Sequence, residues 1–121
     1  MGYPKITDLE IHKISIELGE RVFKECSRWE RLHLNTIGYQ LIRSCDSIAA
    51  NIAEGYGRFS FKENKRFCYF ARGSLFETQT WLLKAHNREL FSKEEFNNFG
   101  DELEILLKKL NAYIAYINRQ I

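Results

Sequence analysis

The chain has 121 residues and a mass of 14.4 kDa, so we expect residues 1–121 to form a single domain with one core. Hydrophobic residues make up 45% and charged residues 28%, which is typical of a globular protein. The net charge of +2 is too small to indicate nucleic-acid binding by itself, so only a local cluster could do so. The one proline, Pro4, precedes the first periodic segment and leaves the remaining chain free to form long helices.

Cysteine usage and targeting signals narrow the class of protein further. Cys26, Cys45 and Cys68 are odd in number and have no CxxC spacing, which argues against a disulfide framework or a thiolate zinc site. We expect them to be small buried residues in a reducing compartment. The segment 1–8 has no apolar signal-peptide core, and no run approaches the roughly 18 apolar residues of a membrane span. A cytoplasmic protein without a membrane segment is therefore expected.

The first helix is predicted over residues 8–26. Thr7 and Glu10 have the spacing of a capping box, in which a hydroxyl and a carboxylate bond to free N–H groups of the first turn. Gly19, in the middle of the run, indicates either a weaker helix or a close contact with another helix. The apolar residues expected to face the core follow heptad spacing with three additions: Leu9, Ile16, Phe23, Ile14, Leu18 and Val22.

The second helix is predicted over residues 35–54, after a charged connection at 27–33 that carries Trp29. Its core residues are spaced by steps of four and three: Ile37, Leu41, Cys45, Ile48 and Ile52. Gly55 is predicted to adopt the left-handed conformation just past the helix end, and Gly57 to keep the following turn tight.

The third and fourth helices are predicted over residues 61–86 and from residue 93 to the end of the chain. Ser60 with Glu63, and Ser92 with Glu95, form two further capping-box patterns at their starts. The core positions of the fourth helix alternate steps of three and four: Phe96, Phe99, Leu103, Leu106, Leu110, Tyr113 and Ile117. Short connections between four amphipathic helices imply antiparallel neighbours. The predicted fold class is all-α, an antiparallel up-down four-helix bundle.

The third helix carries more apolar surface than one core face needs. One stripe is Phe67, Phe70, Ala71, Leu75, Thr78 and Leu82. A further group extends beyond it: Cys68, Phe76, Trp81 and Leu83. Because apolar faces must be buried, either this helix is central to its own bundle or its second face contacts another copy of the chain.

Patterns that would indicate catalysis or metal binding do not emerge from the residue spacings. His12, His33 and His86 have no partner at the i, i+4 spacing of a zinc motif, and no Glu-x-x-His pair suits a di-iron bundle. The Gly55-x-Gly57 pair lacks the lysine of a phosphate-binding loop. We therefore predict no metal, no cofactor and no enzymatic activity.

Two glutamates are predicted to form ion pairs. Glu54 falls at a helix C-terminus, where the helix dipole disfavours negative charge, so it needs a partner such as Arg58, Arg43 or Arg66. Glu77 is predicted to pair with Arg43 or another base between helices. A structural role for Glu54 is preferred over a catalytic one.

Positive charge is concentrated between residues 56 and 73, opposed only by Glu63. We call these five residues the basic cluster: Arg58, Lys62, Lys65, Arg66 and Arg72. Helical spacing places Lys62, Lys65, Arg66 and Tyr69 on one face. Like charges so close repel each other, so this face is either well solvated or compensated by a bound polyanion such as RNA or DNA.

Two segments, Gln40 to Arg58 and Ala71 to Thr78, make the chain similar to the four helix bundle protein family. That family is also called the 23S rRNA intervening-sequence, or S23, family. The positions that carry the resemblance are Arg43, Asn51, Glu54, Gly55, Gly57, Gly73, Ser74 and Glu77. The resemblance implies an antiparallel four-helix bundle that assembles as a homopentamer. It extends to the accessory variability determinant of diversity-generating retroelements, a basic pentamer that binds nucleic acid and a reverse transcriptase.

Three hypotheses for function follow. The first is a homo-oligomeric helical scaffold, with the pentamer implied by the resemblance, that binds structured RNA or an RNA-handling protein such as a reverse transcriptase. The second is a protein-interaction module without nucleic-acid binding. The third, ranked last because no acid–base or metal-binding set is visible, is a nuclease that processes rRNA.

Overall fold

The computed structural model describes residues 5–121, and its regular structure is entirely helical within that range. Residues 1–4, including Pro4, lie outside the described residues, and so does that part of the predicted domain 1–121. Four long helices follow one another: α1 Glu10–Cys26, α2 Tyr39–Tyr56, α3 Phe61–Asn87 and α4 Lys93–Gln120. A 3-10 turn, Ile6–Asp8, precedes α1; a helical turn, Arg31–His33, and a π-helical turn, Leu34–Gly38, lead into α2. None of the helices in this range is both long and apolar enough to cross a membrane.

Side-chain contacts show that consecutive helices run antiparallel. Residues 43 and 44 of α2 bond to residues 77 and 78 of α3, while residue 55 packs on residue 64, so the two helices run in opposite directions. Residues 64 and 72 of α3 bond to residues 113 and 111 of α4 in the same reversed order. Helix α1 packs between α2 and α4, which closes the bundle. The predicted all-helical bundle is confirmed for the described residues.

The core predictions are confirmed for α2 and α4 and partly wrong for α1. All five core residues predicted for the second helix are buried, although Ile37 lies in the π-helical turn before α2. The seam of α4 is buried apart from the half-buried Phe96 and Tyr113. In α1, however, Ile16 is 45% and Phe23 is 53% exposed. The predicted Leu18 and Val22 are buried, and the other buried residues of α1 are Ile11, Ser15, Gly19 and Cys26. These positions repeat at steps of three and four, and the heptad through Ile16 lies at their edge.

The three capping predictions have three different outcomes. Ser92 and Glu95 form both halves of the capping box. The Ser60 hydroxyl accepts from the Glu63 N–H at 3.1 Å, but the Glu63 carboxylate lies 3.6 Å from Arg66. The Thr7 prediction is wrong, because Thr7 lies in the 3-10 turn and α1 begins after Leu9, which has no side-chain cap.

The predicted left-handed glycine at residue 55 is also wrong. No glycine in the described range has a positive φ, and Gly55 lies buried inside α2, which runs to Tyr56. Gly57 follows as the cap, with a right-handed φ of −79°. The left-handed residue is Glu89, with a φ of 59°, in the connection between α3 and α4.

Candidate nucleic-acid interface on helix α3

Helix α3 carries two opposite rows of residues at the same spacing. One row, at alternating steps of four and three, is fully buried: Asn64, Cys68, Ala71, Leu75, Thr78, Leu82 and Ala85. The other row, at the same steps, is exposed: Lys62, Arg66, Tyr69, Gly73, Phe76, Thr80 and Leu83. We call this exposed row the outer seam. A helix with one such seam in its own core and a second facing solvent presents a surface suited to packing on another helix.

The apolar part of the outer seam follows its cationic part along the helix. Lys62 and Arg66 lie in the first two turns, and apolar side chains dominate from Tyr69 onward. Tyr69, Phe76 and Leu83 are 40%, 50% and 51% exposed. Phe70, placed in the core stripe by the sequence prediction, is 46% exposed beside this row, and Cys68, placed outside it, is fully buried. The second apolar face of α3 is therefore open to solvent in the single chain.

The residues of the basic cluster lie in three places: along α4, on the outer seam and in the turn between α2 and α3. The Lys65 ammonium donates to Asn118 Oδ1 at 2.9 Å, and Arg72 donates to Asn111 Oδ1 at 3.0 Å, so both lie along α4. Lys62 and Arg66 lie on the outer seam. Arg58, in the turn between α2 and α3, lies over the Phe67 ring at 4.7 Å. Lys62 and Arg66 therefore lie on the outer seam while Lys65 lies toward α4, and together they form a basic surface around the start of α3.

Ion pairing lowers the net positive charge of that surface. Arg58 donates to Glu54 Oε1 at 2.6 Å, which confirms the predicted partner for Glu54. Arg66 lies 3.6 Å from Glu63. Among residues 5–121, the hydrogen bonds of Lys65 and Arg72 go to neutral amides, and Arg72 also lies over the Tyr69 ring at 4.8 Å, so these contacts do not cancel their charges. A bound polyanion would find full positive charges at these positions.

Arg43 and Glu77, at two of the positions that carry the family resemblance, join α2 to α3. The Arg43 guanidinium pairs with the Glu77 carboxylate, as predicted, and also donates to Gln40 Oε1 at 3.0 Å. The indole N–H of Trp81 donates to the same Glu77 oxygen at 3.0 Å. The Trp81 hydrogen bond, together with Arg43, lowers the pKa of Glu77 despite some desolvation. This network fixes the lateral position of the two helices beside the outer seam.

Other positions of the resemblance also have local structural contacts. The Asn51 amide donates to the Ser47 carbonyl at 2.9 Å, one turn back in α2. The Ser74 carbonyl accepts from the Thr78 hydroxyl at 2.7 Å, and Thr78 also reaches the buried Ser44 at 3.1 Å. Gly73 differs from these, because a Cβ built on it would meet nothing within 4 Å. Packing within the chain therefore gives no reason for glycine at residue 73.

Sequence reasoning missed one further feature of this end of the bundle. A cleft of about 310 Å³ lies where the turn between α2 and α3 faces the C-terminal half of α4. Its walls include Phe59, Phe61 and Tyr116, none of which belonged to a predicted site. Tyr116 lies more than fifty positions from Phe59 and Phe61 in the chain, and the only sequence signal was the local excess of aromatic residues around 56–61. Within residues 5–121, no group of three His, Cys, Asp or Glu side chains is placed to hold a metal ion.

These features place the chain among four-helix bundle proteins, with a third helix that presents a basic and apolar outer face. The model of the 23S rRNA-intervening sequence protein family matches residues 7–112. The chain therefore belongs to the 23S rRNA-intervening sequence protein family.

Comparison with solved structures supports the same fold. A crystal structure of a protein of unknown function from the S23 ribosomal protein family of Bacteroides thetaiotaomicron matches with a TM-score of 0.77 at 22% sequence identity. The match covers 86% of this chain and 97% of that one. A comparison with curated protein sequences finds no significant match.

Proposed function

We propose that the protein is a non-enzymatic, homo-oligomeric helical scaffold that binds structured RNA. The observation that carries this proposal is the outer seam of α3, where cationic side chains and exposed apolar side chains share one row. The apolar part would join copies of the chain, and the joining would bring the cationic parts of several copies together.

The apolar part of the outer seam supports self-association. Its large side chains are about half exposed, and burying such groups contributes about 25 cal/mol per Å². Gly73 lies among them with open space at its Cβ position. Glycine within a helix costs about 1 kcal/mol relative to alanine, and a neighbouring helix that approaches closely there would offset that cost. A pentamer is the assembly that the family resemblance implies.

The basic surface supports RNA as the ligand. One chain has a net charge of only +2, but a symmetric assembly repeats the uncompensated Lys65 and Arg72 in every copy. Several weak phosphate contacts on one rigid body act together, which raises the overall affinity without any new contact. The name of the family refers to an intervening sequence of 23S rRNA, which makes RNA the first polyanion to test.

The test is a salt titration of RNA binding. We expect affinity for a structured RNA to fall linearly with the logarithm of salt concentration. The double variant Lys62→Ala/Arg66→Ala should reduce that slope by about 0.7–0.9 for each phosphate contact removed. The matched control is Lys13→Ala/Lys24→Ala, which removes the same charge from exposed positions of α1 and should leave the slope unchanged.

Two results would contradict the proposal. One is the absence of RNA binding at low salt, or binding that is indifferent to salt. The other is metal-dependent RNA cleavage that is lost in Glu54→Gln, which would indicate a nuclease instead of a scaffold.

The second candidate function is a protein-interaction module, with a reverse transcriptase or another RNA-handling protein as one class of partner. Exposed apolar side chains outside the outer seam, such as Phe23 and Ile16 on α1, favour it because they offer a separate docking surface. A purified partner that binds after nuclease treatment, in an assembly that binds no RNA, would support this function over the first.

A further inference from the structure

The cleft at the α2–α3 turn is built mainly from aromatic rings. Five aromatic side chains line it: Tyr56, Phe59, Phe61, Tyr113 and Tyr116. Its volume of about 310 Å³ falls at the lower end of the ~300–1,000 Å³ typical of small-ligand pockets. A planar group of the size of one heterocycle fits such a space.

Several of these rings face solvent. Phe59 is fully exposed at 108%, and Phe61 and Tyr116 are 46% and 47% exposed. The rings of Tyr113 and Tyr116 lie 6.3 Å apart at an interplanar angle of 23°, so one wall is a nearly parallel pair. Exposed flat rings beside a cleft favour stacking on another flat ring, because stacking removes both faces from water.

The floor of the cleft also offers polar groups. Asn64 is only 8% exposed, and its amide donates to the Tyr113 hydroxyl at 3.2 Å. That hydroxyl accepts from Asn64, so its own hydrogen takes no part in this bond. Burial raises the pKa of Tyr113, so the phenol keeps this hydrogen over the working pH range. A ligand with an acceptor on its edge matches this donor.

Positive charge borders the cleft at Arg58, which lines it directly. Its guanidinium also donates to Glu54 Oε1 at 2.6 Å, so an anion at the cleft would share or replace that partner. An aliphatic chain or a neutral aromatic peptide would leave this guanidinium and the phenol unused.

We propose that this cleft holds an unpaired base of a single-stranded RNA segment, stacked on Phe59 and Tyr116, with a flanking phosphate at Arg58. The inference rests on the proposed RNA-binding function and deepens it by naming the part of the RNA that is recognised. In a duplex the bases are already stacked and paired, so only loops, bulges and ends can supply such a base.

The experiment uses the full chain and a short single-stranded RNA that carries one 2-aminopurine. Stacking on an aromatic ring quenches the fluorescence of this base. We expect quenching with the unaltered protein, and loss of quenching with about tenfold weaker binding in Phe59→Leu/Tyr116→Leu. Binding of a fully paired RNA of the same sequence should change less than twofold.

The matched control is Phe23→Leu/Tyr39→Leu, since these rings are 53% and 60% exposed but lie away from the cleft. It should keep both the quenching and the affinity. Because Phe59 and Tyr116 are exposed, both double variants are expected to fold, which circular dichroism melting checks.

The outcomes separate the two proposals. Retained quenching and affinity in Phe59→Leu/Tyr116→Leu, or an equal loss for single-stranded and paired RNA, overturns the base-binding cleft while leaving RNA binding intact. Binding of neither RNA by the unaltered protein overturns the proposed function itself. Quenching by free 2-aminopurine riboside at equal affinity would show a nucleoside site without a role for the flanking phosphate, and also contradicts the inference.

Discussion

Gly55 of α2 lies so close to Asn64 of α3 that a Cβ built on the glycine would stand 2.7 Å from the Asn64 Oδ1 atom and 2.9 Å from its carbonyl oxygen. The same Cβ would stand 2.9 Å from the Cβ of Phe67. Two of these three neighbours are backbone or Cβ atoms that cannot rotate away, so the two helices approach each other because residue 55 has no side chain. Asn64 in turn bonds to Tyr113, so this contact links α2, α3 and α4.

Gly55→Ala is therefore expected to lower the free energy of unfolding by about 1–3 kcal/mol, since the helices must move apart to admit the methyl group. Denaturant unfolding followed by circular dichroism measures the change. The control is Gly100→Ala in α4, where a Cβ would meet nothing within 4 Å. That variant should be stabilised by up to about 1 kcal/mol through higher helix propensity. Equal stability of the two variants would show that the close approach at residue 55 does not matter.

Glu77→Gln is expected to make stability less dependent on acid pH. The bonds from Trp81 and Arg43 lower the pKa of Glu77 below 4.5 in the folded state. Stability from a lowered carboxyl pKa is present above the unfolded value and is lost as pH falls through the folded value. The variant should therefore be less stable by about 0.5–1 kcal/mol at pH 7, and the difference should vanish in acid. The effect is small because the side chains of the Arg43–Glu77 pair are about two-fifths exposed.

Thermal unfolding between pH 3 and pH 7 measures this difference. Glu104→Gln, at an exposed position of α4, is the matched control and should track the unaltered protein at every pH. A constant difference between Glu77→Gln and the unaltered chain across this range would refute the assignment.

Phe76→Glu is expected to dissociate the assembly, because it places a charge in the middle of the apolar part of the outer seam. Sedimentation at tens of micromolar should show a larger species for the unaltered protein and a monomer for the variant, with equal helix content. Phe23→Glu changes a side chain of similar exposure on α1 and should keep the assembly. If only Phe23→Glu dissociates the assembly, the interface lies on α1. If the unaltered protein is a monomer, the proposal of self-association is wrong.

Glu89→Gly is expected to stabilise the fold by about 0.5–1 kcal/mol. Residue 89 has a φ of 59° just after α3, where a side chain is strained and glycine is not. Glu89→Ala removes the charge but keeps the Cβ, so it should change stability by less than about 0.5 kcal/mol. Equal gains in both variants would assign the effect to charge instead of backbone conformation.

The helices could be predicted from the sequence because the spacing of their apolar residues is regular. Which side of a helix is exposed could not, because that depends on the helices packed against it. Ile16 and Phe23 fit a heptad as well as Leu18 does, and only the positions of α2 and α4 decide which of them is buried. In the sequence, Gly55 resembles a glycine that ends a helix. In the structure, glycine is needed there because Asn64 on the next helix packs against it.

The candidate site was predictable to a similar degree. The local charge density of the basic cluster was visible in the sequence, but its division was not, since Asn111 and Asn118 lie on another helix. The cleft was missed because Phe59 and Tyr116 meet only in the folded chain.

The three cysteines should be unreactive in the native state. All are fully buried, and burial raises the pKa of Cys26 and Cys45 to about 12 and that of Cys68 to about 11. Only the thiolate attacks a disulfide reagent, so the raised pKa leaves very little nucleophile at pH 8. With Ellman's reagent we expect no reaction on the minute timescale in native buffer and three equivalents in denaturant. In native buffer, slow reaction should follow the rate of unfolding, so destabilised Gly55→Ala should react faster than Gly100→Ala. Rapid reaction of even one thiol in the native protein would show that this part of the core is open to solvent.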